Sequence, residues 1–428
     1  MKNDFINKIF RGDKGIWFIF MFLCMISIVE VFSATSQLSY NSDSFWGPIS
    51  SHCVHMLIGV IVAVLIHYLP YRWWKLLGPL MLFIAFVLLL YLLLGGSSAQ
   101  SANDASRWIK IFGFTLQPSE IAKLSVVIVV AMLLSRMDDT DIRASWKMFG
   151  IIMGITIVFA GLIFTENLST AALLFLTVVL MTIVAGVPRR ILLPVYGIGA
   201  VVLAIVLAFF FLTPKDTMRD IARNTPFHRA AAWQKRMVGF IVEMPDNPSE
   251  YRVTDENRQI THALIAVSSS RVLGVGPGNS VQRDFLSRAD NDFIFAIILE
   301  ELGLAGGIFV LLLYIALLVR VGKIARRCKG MFPAMLVTGC AYMLVMQAFI
   351  HMLISVNMFP ITGQTLPLIS RGGTSVVISC MYIGIILSVS RSLEEQEAFP
   401  PVDSLERTIK PDSYLDADIP FEVSEPET

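Results

Sequence analysis

Apolar runs of about 20 residues recur through most of this chain of 428 residues. A helix of that length crosses the ~30 Å hydrocarbon layer of a bilayer, and a soluble protein does not need so many of them. The composition agrees, because 55% of the residues are hydrophobic and the mean hydropathy is +0.68. We therefore expect an all-α integral membrane protein with about ten transmembrane helices. The predicted helices lie at 15–35, 52–69, 75–94, 118–135, 147–164, 168–187, 191–212, 292–319, 332–356 and 374–391.

Lys and Arg residues are concentrated in alternate loops between these runs. The excess begins at the amino end, with Lys2, Lys8, Arg11 and Lys14, and it is largest at 320–329. Because cytoplasmic loops of membrane proteins are rich in Lys and Arg, we predict that both termini are cytoplasmic. The long segment at about 213–291, between helices seven and eight, is then a large extracytoplasmic loop. The first run lacks a small-residue cleavage site, so we expect a retained span rather than a signal peptide.

The carboxyl-terminal segment 393–428 differs in composition from the rest. It has eleven Asp or Glu residues against only Arg407 and Lys410, although the whole chain has a net charge of only +1. It shows no periodic apolar face, so we expect a disordered, acidic cytoplasmic tail after a polytopic membrane domain at 1–392. The chain lacks the single-sign field that nucleic acid requires, and we expect no nucleic-acid partner.

Three acidic residues mark the start of the eighth predicted helix. Asp292 directly follows a polar loop, and Glu300 and Glu301 lie roughly 12–14 Å deeper along the helix axis. Acidic residues inside a membrane are costly and usually mark a functional site. Asp292 could instead be a helix N-cap, as could Asn291, because a helix N-terminus favours negative charge.

A second polar cluster surrounds the start of the fourth predicted helix. Arg107, Trp108 and Lys110 precede the helix, and an Arg beside a Trp suits an anionic headgroup at a membrane surface. Glu120 and Lys123 are three residues apart on one face of the helix, so they can neutralise one another. This pair could belong to a functional site or could be a structural ion pair that braces two helices.

The connection at 357–375 contains two Pro and three Gly residues, which exclude a continuous helix. Non-helical backbone at membrane depth must be buried in protein or line a wet cavity. We expect this segment, which carries Arg371, to form one wall of a polar cavity.

Two further patterns are weaker indications of a binding site. The glycines at 274–280 are similar to a phosphate cradle, but the strand and helix of a dinucleotide site are missing, so a mobile turn is favoured. His52 and His55 have the spacing of two metal ligands. Neither an acidic nor a second Cys partner lies nearby in sequence, so we favour a satisfied pair of histidines and predict no metal site.

These segments resemble the SEDS family of cell-wall polymerases. The family motifs QPSExxK, GVGLGNSxQ and DFIFAxxxEExG match the chain in order at 117–123, 274–282 and 292–303, and its last loop matches at 360–375. The resemblance covers about 15–390. The chain departs from the family pattern at three sites. They are Asn167 where Asp is frequent, Arg371 where Tyr is frequent, and 287–292, where Ser-Arg-Ala-Asp-Asn-Asp replaces the usual PExHTD.

The resemblance implies a bacterial inner-membrane glycosyltransferase that polymerises lipid II at the outer face and releases undecaprenyl pyrophosphate. It implies that Asp292 is the catalytic base; with an ordinary pKa of ~3.9, this weak base must take a proton in concert with attack. The resemblance and the polar clusters together indicate substrate-binding roles for Arg107, Trp108, Lys110, Glu120, Lys123, Ser370 and Arg371. Supporting roles fall to Gln117, Glu300, Glu301, Asn279 and Pro367. The sequence does not establish a cofactor, although Mg²⁺ or Mn²⁺ could help to hold the diphosphate.

The resemblance also implies a partner. The chain has no convincing SxxK–KTG set, so cross-linking must come from a class B penicillin-binding transpeptidase, within the divisome or the elongasome. The last loop and the added tail resemble FtsW more than RodA, which favours a role in cell division over elongation.

Two other functional classes stay open. A flippase for the lipid-linked precursor would depend on Glu120, Lys123, Glu300 and Glu301 more than on Asp292. A scaffold without polymerase activity would tolerate neutral substitutions at all five positions.

Overall fold

The computed structural model describes residues 11–35, 47–94, 99–102, 105–111, 114–137, 141–214, 217, 234, 253, 257–286 and 288–398. These residues are mostly helical. Seven helices in this part of the chain are long and apolar enough to cross a membrane, while α4 and α6 are shorter, with 17 residues each. The α-helices are α1 Lys14–Ala34, α2 Gly47–Tyr68, α3 Trp74–Leu93, α4 Pro118–Leu134, α5 Ile142–Glu166, α6 Leu168–Val184, α7 Arg189–Leu212, α8 Arg258–Ser269, α9 Ile294–Arg327, α10 Met331–Ser355 and α11 Gly373–Ala398. All except α8 coincide with predicted apolar runs.

The expectation of an all-α fold missed a small sheet between α3 and α4. Three antiparallel strands, β1 Ala99–Ala102, β2 Ala105–Ile111 and β3 Phe114–Leu116, pair in the order β1-β2-β3. Only two residues separate consecutive strands, which is the usual length of a hairpin connection. The strands are short and lie beside long apolar helices, whose much stronger hydrophobic pattern dominates this part of the sequence.

Helix α4 lies at the centre of the bundle. Almost all of its side chains are buried, including Val126, Val127 and Ile128. A helix that is apolar on all sides is stable only when it is enclosed by other elements. Peripheral helices show the opposite pattern, because large apolar side chains such as Leu65 on α2 and Phe83 on α3 are more than 60% exposed. Exposed apolar side chains of this kind suit contact with lipid.

Helix α9 is broken at Gly303, which has φ 72° and ψ −174°. Its free backbone groups pair with the preceding loop: the Arg271 carbonyl accepts from the Leu304 N–H at 3.0 Å, and the Val275 N–H donates to the Glu300 carbonyl at 3.0 Å. A Cβ atom at Gly303 would meet the Arg271 carbonyl oxygen at 2.5 Å, so glycine is required for both reasons. Backbone hydrogen-bonding groups at membrane depth are thus satisfied within the protein.

The two described ends of the chain meet. The Gly12 N–H donates to the Glu394 carboxylate at 2.8 Å, the Asp13 N–H donates to the Ser390 hydroxyl at 2.8 Å, and Asp13 pairs with Arg320 on α9 at 3.0 Å. The start of α1 therefore lies beside the end of α11, on one side of the bundle. Helix α11 continues to Ala398, so 393–398 is helical rather than part of a disordered tail.

Two predicted segments lie partly or wholly outside the described residues. They are the rest of the acidic tail, at 399–428, and most of 215–256 in the predicted extracytoplasmic loop.

Candidate active site

Asp292 lies just before α9 and does not cap it. The helix begins at Ile294 and its N-cap residue is Phe293, whose side chain makes no capping hydrogen bond. The Asp292 carboxylate instead lies 3.6 Å from the Arg288 guanidinium, and its side chain is 12% exposed. Asp292 therefore does not hold the N-cap position, and its carboxylate faces the Arg288 guanidinium.

The connection between α10 and α11 packs directly against this segment. The Arg371 guanidinium pairs with the Asp290 carboxylate at 3.0 Å, and the Arg371 N–H donates to the Asp290 carbonyl at 2.8 Å. The Ser370 hydroxyl donates to the Asn291 carbonyl at 2.8 Å and accepts from the Leu366 N–H at 2.7 Å. Ser370 and Arg371, which the sequence singled out, thus lie beside Asp292, and Asp290 joins them although it lies outside the family motif.

The same connection contains a strained residue. Leu368 is buried and has φ 66°, a left-handed conformation that non-glycine residues rarely adopt. On one side of it, the Pro367 carbonyl accepts a hydrogen bond from the buried Tyr314 hydroxyl. Backbone strain of this kind persists where the surrounding structure imposes it, often beside a functional site. Pro367 thus helps to hold this connection in place, and its supporting role in the site stays a prediction.

A polar cavity of about 330 Å³ opens beside these residues. As expected, the connection at 357–375 forms part of its wall. Asp292 is not among the lining residues, but its neighbour Asn291 is. The cavity brings together two Arg and two His side chains, which suit an anionic group such as a phosphate. The residues that line it are Ser51, His52, His55, Thr115, Arg288, Asp290, Asn291, Arg371, Gly372 and Gly373.

Both histidines of the cavity make a hydrogen bond, but the predicted satisfied pair is confirmed only in part, because the buried His52 Nδ1 has no hydrogen-bond partner among the described residues. The Ser27 hydroxyl donates to the Ile369 carbonyl at 2.7 Å, so the contact at 2.9 Å between Ser27 and His52 Nε2 requires His52 to donate. His55 Nδ1 donates to the Ser51 carbonyl at 2.6 Å. Within the described residues, no group of three or more His, Cys, Asp or Glu side chains could hold a metal ion. Their place in the cavity wall was not predicted, because α2 is distant in sequence from the other lining residues.

The Glu120–Lys123 ion pair predicted from their spacing is confirmed, at 2.7 Å. Lys123 is 1% exposed, and its ammonium also donates to the Gln347 side chain on α10 at 2.9 Å. Gln347 in turn donates to the Thr365 carbonyl at 3.0 Å. The pair therefore joins α4, α10 and the connection before α11, and this geometry favours the bracing interpretation.

The glycine loop at 274–282 does cradle anions, but the anions are the protein's own carboxylates. Glu300 accepts from the Ser280 hydroxyl at 2.5 Å and from the Val281 N–H at 3.0 Å. Glu301 accepts from the Gly278 N–H at 3.0 Å, from the Ser280 N–H at 3.1 Å and from the Ser33 hydroxyl. These contacts anchor the loop, so the prediction of a mobile turn is wrong. Both carboxylates have a structural task.

Two other supporting residues hold turns in place. The Asn279 side chain donates to the Val275 carbonyl at 3.0 Å within the glycine loop. The Gln117 N–H donates to the Thr374 hydroxyl at 3.2 Å and so ties the start of α4 to the start of α11. Neither contact touches the cavity directly.

The remaining predicted site residues lie on β2. In the sheet, half-buried Trp108 faces Gln100 of β1, and Lys110 faces Thr115 of β3, which lines the cavity. The side chains of Arg107 and Lys110 lie outside the described part of the structure. Their roles stay predictions.

Comparison with known proteins agrees with this architecture. A model of the "cell cycle protein" family of FtsW, RodA and SpoVE matches residues 13–395. A protein of Halomonas elongata named probable peptidoglycan glycosyltransferase FtsW is 33% identical over 376 residues, covering 86% of this chain and 87% of that protein. A protein of Pseudomonas fluorescens with the same name is 32% identical over 369 residues, covering 85% and 84%.

Solved structures share the fold. A chain of a peptidoglycan synthase complex, described as coordinating polymerization and crosslinking, superposes with a TM-score of 0.67 at 22% identity, covering 89% of this chain and 98% of that chain. RodA of Thermus thermophilus superposes with a TM-score of 0.60 at 21% identity, covering 89% and 97%. The family match and the apolar helices identify a multi-pass membrane protein. The chain therefore belongs to the FtsW, RodA and SpoVE family of cell cycle proteins.

Proposed function

We propose that this protein is an FtsW-like peptidoglycan glycosyltransferase that polymerises lipid II at the outer face of the bacterial cytoplasmic membrane during cell division. Family membership gives the reaction class, and one observation carries the assignment to a site. The Asp292 carboxylate lies 3.6 Å from the Arg288 guanidinium, and Arg288 lines a polar cavity together with Arg371. A base next to positive charge is what transfer from a diphosphate donor requires.

The reaction joins an acceptor hydroxyl to the anomeric carbon of the donor sugar. The new C–O bond forms as the bond from that carbon to the diphosphate oxygen breaks, and the electron pair leaves with undecaprenyl pyrophosphate. Asp292 takes the proton of the acceptor hydroxyl during attack, because a carboxylate is too weak a base to remove it beforehand. Arg288 and Arg371 bind the diphosphate and stabilise its developing charge.

Ten membrane crossings fit this function. Helices α1–α7 and α9–α11 supply them, and an even number agrees with the meeting of the two described chain ends. The 17-residue helices α4 and α6 are ~26 Å long, close to the ~30 Å hydrocarbon thickness. In this topology both termini and the acidic tail are cytoplasmic, while α8 and the rest of 213–291 are outside.

A class B penicillin-binding transpeptidase completes wall synthesis, because this chain supplies no transpeptidase motif. The fold shared with a chain of a peptidoglycan synthase complex supports such a partner. Relatives named FtsW at 32–33% identity support a place in the divisome, and a RodA-like role in the elongasome is the alternative.

The test is a polymerisation assay of the purified protein with lipid II, alone and with its transpeptidase partner, for native chain and Asp292→Asn. We expect Asp292→Asn to lower the rate of glycan synthesis by ~10²–10⁴-fold, the usual contribution of a general base. Its melting temperature should stay near that of native protein, since Phe293 and not Asp292 holds the N-cap position and Asn has the same size as Asp. Asp284→Asn is the matched control, because Asp284 is about half exposed and lies in the same outer segment.

The outcomes separate the functional classes. If Asp292→Asn polymerises lipid II at the native rate, the carboxylate is not the base, and Glu120 becomes the next candidate. If the native chain makes no glycan under either condition but moves lipid II across vesicle membranes, it is a flippase. If it does neither and only recruits the transpeptidase, it is a scaffold.

A further inference from the structure

A second cavity lies at the opposite end of the bundle from Asp292. It has a volume of about 400 Å³ and lies among the carboxyl end of α6, the last turns of α9 and the first half of α10. Its walls are mostly apolar, with Val184, Leu318, Val321, Met335 and Ala341 among them. This volume is within the range of ligand pockets, ~300–1,000 Å³.

One charged side chain stands at this cavity. Arg326 is exposed, and its Nε–H donates to the Gly322 carbonyl at 3.4 Å. Its neighbours are paired: Arg320 with Asp13 at 3.0 Å and Arg327 with Glu397 at 2.6 Å. Within the described residues, no carboxylate lies within 4.0 Å of the Arg326 guanidinium. The cavity thus combines an apolar interior with a positive charge that no carboxylate in the described part of the chain neutralises.

The position of this cavity in the helix bundle indicates which side of the membrane it faces. This end carries both described chain ends and the basic residues Lys323, Arg327 and Lys329, so it faces the cytoplasm by the distribution of positive charge. Along α10, the lining extends from Ala334 to Tyr342, a rise of ~12 Å from the membrane surface into the hydrocarbon. A ligand of this cavity therefore needs an anionic head at the surface and an apolar chain that points inward.

We propose that this cavity binds an anionic glycerophospholipid of the cytoplasmic leaflet, with one acyl chain among α6, α9 and α10 and the phosphate on Arg326. Basic pockets between transmembrane helices on the cytoplasmic side suit such headgroups. Free phosphate would leave the apolar interior empty, and a neutral lipid would leave Arg326 without a counter-ion. The site is separate from Asp292 and does not depend on the proposed polymerase activity.

A substitution at Gly322 can fill the cavity with a side chain of the protein itself. It lines the cavity on α9, and a Cβ atom built there meets no atom within 4 Å. The first carbon of a leucine side chain therefore meets no clash at 322, and we expect Gly322→Leu to occupy part of the volume that an acyl chain needs. Arg326→Gln removes the charge and keeps a similar length, while Arg327→Gln is the matched control because Arg327 already pairs with Glu397.

The experiment is native mass spectrometry of the delipidated full chain, titrated with palmitoyl-oleoyl phosphatidylglycerol or with phosphatidylcholine of the same acyl chains. We expect the native chain to prefer phosphatidylglycerol by about fivefold, the effect of one basic residue on an anionic lipid. Arg326→Gln should abolish the preference, Gly322→Leu should lower binding of both lipids, and Arg327→Gln should behave like native protein. Melting curves establish that each variant is folded.

Three results would overturn the proposal. Equal binding of the two lipids by the native chain would remove the role of charge. Native-like binding by Gly322→Leu would show that the lipid binds the basic surface and not the cavity. A third arm adds undecaprenyl phosphate as competitor: if it occupies the Gly322-dependent site in preference to phosphatidylglycerol, the occupant is a prenyl carrier instead.

Discussion

Asp290 and Arg371 illustrate how a change at one residue is balanced by a change at another. Each departs from the family pattern, which has Tyr at the position of Arg371 and His at that of Asp290. In sequence the two departures are unrelated, but in the structure the side chains form an ion pair at 3.0 Å in the cavity wall. A partly buried arginine in place of an uncharged tyrosine needs a counter-ion, and Asp290 supplies it.

This pairing leads to a prediction about paired substitutions. Arg371→Tyr alone should lower the rate of glycan synthesis and the melting temperature, because it leaves the Asp290 carboxylate without its partner. Adding Asp290→His should recover much of both, since the double variant restores the family pair. The check is a double-mutant cycle on activity and melting, with a coupling of ~0.5–3 kcal/mol expected for residues in contact. Strictly additive losses would show that the two departures are independent.

Long-range pairs of this kind explain what the sequence could not predict about the site. Motif spacing brought out Asp292, Ser370 and Arg371, and the structure places them close together. It did not place Asp290 or His52 in this site, because their cavity partners are far away along the chain. Only the fold brings such residues into one wall.

At the scale of elements, the central helix α4 depends on the pair of Glu120 and Lys123. Removing one partner of a buried ion pair leaves an uncompensated charge and typically costs ~3–5 kcal/mol, whereas replacing both by apolar residues of similar size is often neutral. We expect Glu120→Gln to lower the melting temperature clearly and Glu120→Leu with Lys123→Met to restore it. If polymerisation returns with stability, the pair is a brace. A stable but inactive double variant would instead assign the charges to the substrate.

The break in α9 provides a second prediction about an element. Gly303→Ala should destabilise the protein by more than ~1–3 kcal/mol, because alanine at φ 72° is strained and its Cβ would also crowd the Arg271 and Val272 carbonyls. Gly322→Ala, on the same helix with nothing within 4 Å of its Cβ, should be neutral or slightly stabilising. Thermal unfolding of both variants in detergent is the measurement. Equal effects would mean that helix propensity, and not the break, sets the cost.

The helices were predictable and the irregular parts were not, for a physical reason. A run of 20 apolar residues is a strong signal of a membrane helix, so each predicted run coincides with a helix. The break at Gly303 lies inside an apolar run, so the hydropathy pattern does not reveal it. The backbone groups that the break leaves open are hydrogen-bonded by residues 271–276. The glycine loop looked like a turn in sequence because its carboxylate partners, Glu300 and Glu301, lie about 20 residues further on.

At the scale of the whole molecule, the fold fixes which functional groups share a side. The described chain ends and Arg326 lie at one end of the bundle, whereas the Asp292 cavity lies at the other. From the distribution of Lys and Arg, we propose that the first end faces the cytoplasm. In this proposed orientation the cavity and the glycine loop both face the outer side, where the proposed lipid II polymerisation takes place.

Single cysteines test this orientation. Ser268 on α8 and Gly330 between α9 and α10 are exposed and belong to opposite proposed sides. Cys53 and Cys328 are half-buried and should first be replaced by serine, while Cys24, Cys340 and Cys380 are buried. With a membrane-impermeant maleimide and an opened outer barrier, we expect Ser268→Cys to react in intact cells and Gly330→Cys to react only after lysis. The reverse pattern would put Asp292 at the cytoplasmic face, and the polymerase proposal would then be untenable, because its base could not reach a substrate outside.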